Sequence, residues 1–88
     1  MSMKDELRRI LTIISDFTLN DTNFSVKDTR IISEANRTCE EVEKDLNELQ
    51  SLGLIKEDIN RPANVGYRLY RITREGVSEI YNKEFRSI

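Results

Sequence analysis

Apolar residues recur at three- and four-residue spacing through most of this chain, and only residues 54–72 break that rhythm with alternation and turn residues. A helix turns once in about 3.6 residues and so buries a stripe, whereas a strand buries every second residue. A chain written this way is a set of amphipathic helices interrupted by one β-hairpin. Leu7, Ile10, Leu11, Ile14 and Phe17 predict a first helix over Met3–Thr18. Ser2 is placed to cap it, and Asp5 falls in the first turn, near the positive end of the helix dipole. Asn20, Asp21, Thr22 and Asn23 are turn formers, so the helix stops before them and Phe24 falls in a short extended piece.

Ser25, with Asp28 three residues on, reads as the start of a second helix over Val26–Asn36, with Ile31, Ile32 and Ala35 inward. Asn36 and Arg37 make a tight turn. Thr38 and Glu41 then have capping-box spacing, which predicts a third helix from Thr38 to Leu52 with Val42, Leu46 and Leu49 inward. Gly53 supplies the left-handed residue that ends it. Two strands follow, Leu54–Ile59 and Tyr67–Ile72, joined by the turn-rich stretch 60–66, where Pro62 belongs in the loop. Tyr70 and Ile72 share one face, and Leu69 lies on the other as a lone exposed apolar residue. Thr73 caps a last helix over Arg74–Arg86, with Val77, Ile80, Tyr81 and Phe85 along its apolar side. The fold class expected is mainly α with a small β-hairpin (α+β).

The length, 88 residues, predicts one domain over 1–88 with a modest core. Homodimers are a common remedy for small cores. Tyr81, Phe85 and Ile88 could extend an apolar strip for such pairing, or Val77, Ile80 and Tyr81 could simply close the core. No apolar run approaches the ~18 residues of a membrane span. The charged start, from Met1 to Arg9, leads into no uninterrupted apolar block, so neither a signal peptide nor a membrane partner is expected. A single cysteine, Cys39, suits a cytoplasmic protein. The Cys39 thiol sits in a helix first turn that favours a thiolate, but Glu40, Glu41 and Glu43 oppose it, so a partly buried structural cysteine is expected.

The chain contains no histidine. The commonest general base is therefore missing, and one cysteine cannot build a Cys/His zinc site. Gly53, Gly66 and Gly76 are isolated, so no phosphate-cradling loop exists. No enzyme activity, metal or cofactor is expected.

The run Leu46-Asn-Glu-Leu49-Gln-Ser-Leu52-Gly53-Leu54-Ile55, then a hairpin, then Tyr70-Arg-Ile72-Thr73-Arg-Glu-Gly76, resembles the winged helix-turn-helix superfamily. It is similar to the small prokaryotic regulators of the PadR, MarR and ArsR kind, and the resemblance covers about Val26 to Gly76. It implies a three-helix core, a two-stranded wing and a C-terminal helix. It also implies that the third helix meets double-stranded DNA, with Glu40, Glu41, Glu43, Lys44 and Asn47 outward.

Charge is distributed unevenly. Residues 39–53 carry one lysine against five acids, a net of −4, whereas residues 54–74 carry five basic residues against two acids, a net of +3. DNA is a dense anionic rod, so phosphate contact is expected from the wing, where Arg61, Arg68, Arg71, Lys56 and Arg74 place positive charge on or beside the hairpin, and from Lys27, Arg30 and Arg37 around the second helix. Lys44 and Asn47 are expected to touch bases, and Arg61 at the tip to enter the minor groove. The alternative is a protein-interaction module, in which Glu40, Glu41 and Glu43 meet a basic protein partner, including the wing of a second copy.

Overall fold

The computed structural model describes residues 4–60 and 65–86, the side chains of 82–86 excepted. Four helices and three short strands follow one another as α1 (Asp5–Thr18), β1 (Val26–Lys27), α2 (Asp28–Ala35), α3 (Cys39–Ser51), β2 (Ile55–Asp58), β3 (Leu69–Ile72) and α4 (Arg74–Arg86). The strands form one antiparallel sheet in the order β1-β3-β2. This is the α+β class expected from the apolar spacing.

Helix α1 is the hub and packs against α2, α3, α4 and the sheet. Its Ile10, Leu11 and Ile14 are wholly buried together with Ile31 of α2, Val42, Leu46 and Leu49 of α3, and Ile55, Tyr70 and Ile72 of the sheet. Phe17, expected on the buried stripe, is instead 38% exposed. At about 3.6 residues per turn the stripe through Leu7, Ile10, Leu11 and Ile14 runs on to Thr18. Thr18 is fully buried and satisfies its hydroxyl by donating to the Ile14 carbonyl at 2.8 Å. The N-cap of α1 is Lys4, which makes no side-chain cap; Ser2 lies outside the described residues.

The second helix starts later than its sequence signal. Val26 and Lys27 are strand, paired with Tyr70 and Leu69, and the Asp28 amide donates to the Arg68 carbonyl at 2.9 Å. Pairing with a strand more than 40 residues away overrides the local cap signal at Ser25, and Lys27 takes the N-cap position with no side-chain bond. Ile31 and Ala35 are buried as expected, Ile32 partly. Leu69 is half-buried. Cys39, expected to be partly buried, is exposed, as are its neighbours Thr38, Glu40 and Glu41 in the first turn of α3. In α4, Val77 and Ile80 pack on the core, while Tyr81 is 46% exposed; the side chains of Phe85 and Ile88 lie outside the described residues.

The junction of α3, hairpin and α4 explains the Gly-Leu-Ile and Tyr-x-Ile-Thr-x-x-Gly patterns. Gly53 has φ +76°, and the Leu54 amide reaches back to the Leu49 carbonyl at 3.1 Å while that of Gly53 reaches Gln50 at 3.0 Å. This is the left-handed helix stop of the Schellman type. Ile55 then pairs with Ile72. The Thr73 hydroxyl accepts the Gly76 amide at 3.1 Å, capping α4, and donates to the Gly53 carbonyl at 2.7 Å. The Thr73 amide donates to the Leu54 carbonyl at 3.1 Å. A Cβ at Gly76 would stand 2.2 Å from that same carbonyl oxygen, so α4 can approach the end of α3 only without a side chain there. Gly76→Ala is therefore expected to destabilise the fold by about 1–3 kcal/mol, the range for overpacking a fixed contact. Urea unfolding reads this directly, and an unchanged midpoint would contradict the close approach.

Candidate nucleic-acid interface

Helix α3 begins at Thr38, whose hydroxyl accepts the Glu41 amide at 3.2 Å and donates to the Glu41 carboxylate at 2.9 Å. With Val42, Leu46 and Leu49 turned into the core, helical geometry puts Glu40, Lys44, Asn47 and Ser51 along the opposite ridge, and all four are exposed. Glu43 flanks the ridge on one side, Glu41 and Glu48 on the other, also exposed. Ser51 and Glu48 belong to this surface although the charge pattern alone did not single them out; their spacing from Lys44 and Asn47 was the available signal.

The acidity of α3 is partly cancelled locally. Arg37, just before the helix, places Nη1 2.6 Å from Asp45 and Nη2 3.6 Å from Glu41. Asp45 is half-buried and so does not belong to the outward ridge. The hydrogen bond to Asp45 raises the Arg37 pKa further above its ordinary value, with the charges of Asp45 and Glu41 adding to it and burial opposing. The Thr38 hydroxyl holds the Glu41 carboxyl below the ordinary glutamate value, helped by the Thr38 backbone and by Arg37. Among the described residues, Glu40, Glu43 and Glu48 make no ion pair, and Lys44 stands among them.

Alternation in the hairpin divides its cations between two faces. Val26, Tyr70, Ile72 and Ile55 point inward, and Arg68 and Glu57 share that parity. Lys27, Lys56, Asp58, Leu69 and Arg71 point outward. Burial raises the Tyr70 phenol above its ordinary pKa, a rise opposed by the hydrogen bond from Arg68. That bond, with the charges of Tyr70, Glu57 and Glu43, raises Arg68 as well, while burial opposes the rise. On the outer face, Arg71 Nε lies 3.7 Å from Asp58, and Lys27 Nζ sits 4.6 Å above the Tyr67 ring. Arg30 of α2 lies 6.0 Å over the Phe17 ring. Arg61 falls outside the described residues. The structure thus lines up Glu40, Lys44 and Asn47 on one exposed ridge with Glu43 beside it, turns Arg37 onto Asp45 and Glu41, and separates Arg71 and Lys27 from Arg68 by the alternation of the hairpin. Among the described residues there is no cluster of three potential metal ligands, and no helix is long and apolar enough to cross a membrane.

No family model matches the sequence, and no curated protein matches it either. Solved structures do resemble it. The zinc-responsive MarR family member ZitR of Lactococcus lactis superposes with a TM-score of 0.72 at 21% identity, over 92% of this chain and 51% of ZitR. The DNA-binding TubR fragment of Clostridium botulinum gives 0.74 at 15% identity, over 93% of this chain and 98% of the fragment. The fold is a winged helix. Bordetella bronchiseptica BpsR, whose DNA binding is regulated by 6-hydroxynicotinic acid, gives 0.74 at 12% identity, over 91% of this chain and 55% of BpsR. This winged helix spans about half the length of ZitR and BpsR. In its terms, β2 and β3 are the wing and α3 is the helix that follows the turn.

The Thr38–Glu41 contact gives a pH test. A carboxyl with a lowered folded-state pKa adds stability that is present above its unfolded value and is lost as pH falls through the folded value. In Thr38→Val the Glu41 carboxyl is expected to titrate nearer the ordinary glutamate value, read by side-chain NMR. An unmoved titration would show that Thr38 does not hold Glu41.

Proposed function

We propose that this winged helix is a DNA-binding transcriptional regulator that sets the outward ridge of α3 in the major groove. The observation that carries the reading is the ridge itself: Glu40, Lys44, Asn47 and Ser51 are exposed, polar and in line, while Arg37 draws Asp45 and Glu41 aside. Lysine can donate to guanine O6 and N7, asparagine can pair with adenine N6 and N7, and glutamate can accept from cytosine N4. Acids at such positions oppose indiscriminate phosphate binding and are tolerated where a cytosine amino group meets them. Lys27, Arg30, Arg61, Arg68 and Arg71 are the candidates for phosphate contact. The fold shared with the TubR DNA-binding fragment and with BpsR supports the same reading.

Fluorescence anisotropy of labelled duplexes at several salt concentrations tests it. Affinity is expected to fall with salt at a log–log slope of about −0.9 per phosphate neutralised. Against a preferred site, Lys44→Ala or Asn47→Ala is expected to cost about 1–3 kcal/mol of discrimination. Arg37→Ala, which touches no base in this reading, is expected to weaken binding by releasing Asp45 and Glu41 into the field of the helix. Equal affinity in the wild type and these three variants would sink the α3 reading.

A second reading has its own observation. Glu40 and Glu43, with Glu41 beside them, leave an acidic band that suits a basic protein surface, and an adaptor function follows if that band is the docking site. Absence of duplex binding at low salt, with capture of a basic partner lost in Glu40→Lys and Glu43→Lys, would favour it.

A further inference from the structure

The outer face of the sheet holds a concavity that lies off the α3 ridge and takes in Arg71, one of the candidates for phosphate contact. Lys56 of β2, Arg71 of β3 and Arg74 at the start of α4 converge on one open cleft of about 360 Å³, closed on its far side by Thr22 and Asn23 of the α1–β1 loop. We propose that this cleft is an anion site for a phosphate group, distinct from the α3 ridge.

Three independent features point the same way. First, three cations from three different elements line one concavity, an arrangement that simple solvation of scattered charges does not require. Secondly, α4 is 13 residues long and its N-terminus opens here. The amide of Gly76 is taken by Thr73, but those of Arg74 and Glu75 have no intrahelical acceptor, and such groups attract oxyanions. Thirdly, Arg71 is incompletely satisfied. Asp58, its ion-pair partner, stands 3.7 Å from Nε, too far to accept a hydrogen bond, and the Arg71 side chain is 25% exposed. The Glu75 carboxylate also lines the cleft and Asp58 lies beside Arg71, so the three cations outweigh two acids by one charge before the helix dipole is added. That balance suits a weakly held, exchangeable dianion.

Position argues for a separate role. Lys56 and Arg71 face away from the side of the sheet that packs on the helices, at the base of the wing, next to the Ile55–Ile72 pair. The cleft and the α3 ridge therefore lie on different faces, and a duplex on the ridge meets the cleft only where its backbone passes round the wing. The phosphate has two possible sources, the backbone of further DNA or a small phosphorylated effector, and both present the same tetrahedral dianionic or monoanionic oxygens.

Inorganic phosphate is the probe, titrated into isotope-labelled protein against chloride at matched ionic strength and followed by amide NMR. The expected result is saturable shifts confined to Thr22, Asn23, Lys56, Arg71, Arg74 and Glu75, with a dissociation constant on the order of 1 mM. In Lys56→Gln/Arg74→Gln, both at exposed positions, binding is expected to weaken by about tenfold or more with the spectrum otherwise retained. Shifts that never saturate, that spread equally to Lys4, Arg9 and Lys44, or that survive the double variant would overturn the site. With the phosphate result in hand, the same variant separates the sources. A weaker duplex affinity with a shallower salt slope identifies backbone phosphate; an unchanged duplex affinity identifies a small anion. The phosphate titration does not depend on whether α3 reads DNA, so failure of one leaves the other standing.

Discussion

The contact between Gly76 and the Leu54 carbonyl governs the geometry of everything that faces outward. Because no Cβ intervenes, α4 starts directly against the end of α3, and Thr73 fastens the two by bonding to both Gly53 and Gly76. The hairpin is anchored at the same point, since Ile55 and Ile72 follow and precede the junction and pair with each other. The wing cannot rotate relative to α3 without breaking this knot. Backbone bonds that are short, buried or capped on both partners hold geometry better than surface ion pairs, whose contribution is typically about 0–1 kcal/mol. The orientation of α3 towards a partner is thus set by backbone, and its surface chemistry is left free to specialise.

That specialisation is visible in how charge is handled. An uncompensated acidic helix would be repelled by a polyanion. Here Arg37 sits just ahead of the α3 cap and binds Asp45 and Glu41 on the flank of the helix, while Glu40 and Glu43 remain beside Lys44 and Asn47. The result is a ridge whose centre is mixed and whose edges are acidic. Such a surface disfavours general electrostatic adhesion and favours partners that supply donors at set positions, which is a difference-of-affinities route to specificity. The wing cations follow a different logic: odd spacing sends Arg68 to one face and Arg71 to the other, so they cannot act as one patch.

Much of this was legible in the residues. Val42, Leu46 and Leu49, the Thr38 cap, the Gly53 stop and the Thr73 cap are local features, and each was readable from a window of a few residues. What escaped was non-local. The short extended piece expected at Phe24 falls two residues later, on Val26 and Lys27, because Tyr70 and Leu69 lie beside them, and no local signal sets that shift. Arg37 reads as a free cation until Asp45, eight residues on, turns to meet it at 2.6 Å. The exposure of Cys39 depends on what packs over the first turn of α3, which its neighbours in sequence do not define. The division of Arg68 from Arg71 was in principle readable, since period-two alternation separates residues three apart; counting charge by segment merged them.

The central claim is that the exposed ridge of α3 is the surface that meets duplex DNA. Amide hydrogen exchange of the protein with and without a bound duplex tests it most directly, because protection is read along the whole chain without any substitution. The account predicts slowed exchange concentrated in residues 39–51 and in the hairpin, with α1 unchanged. Bound duplex that left residues 39–51 exchanging as in the free protein would contradict it.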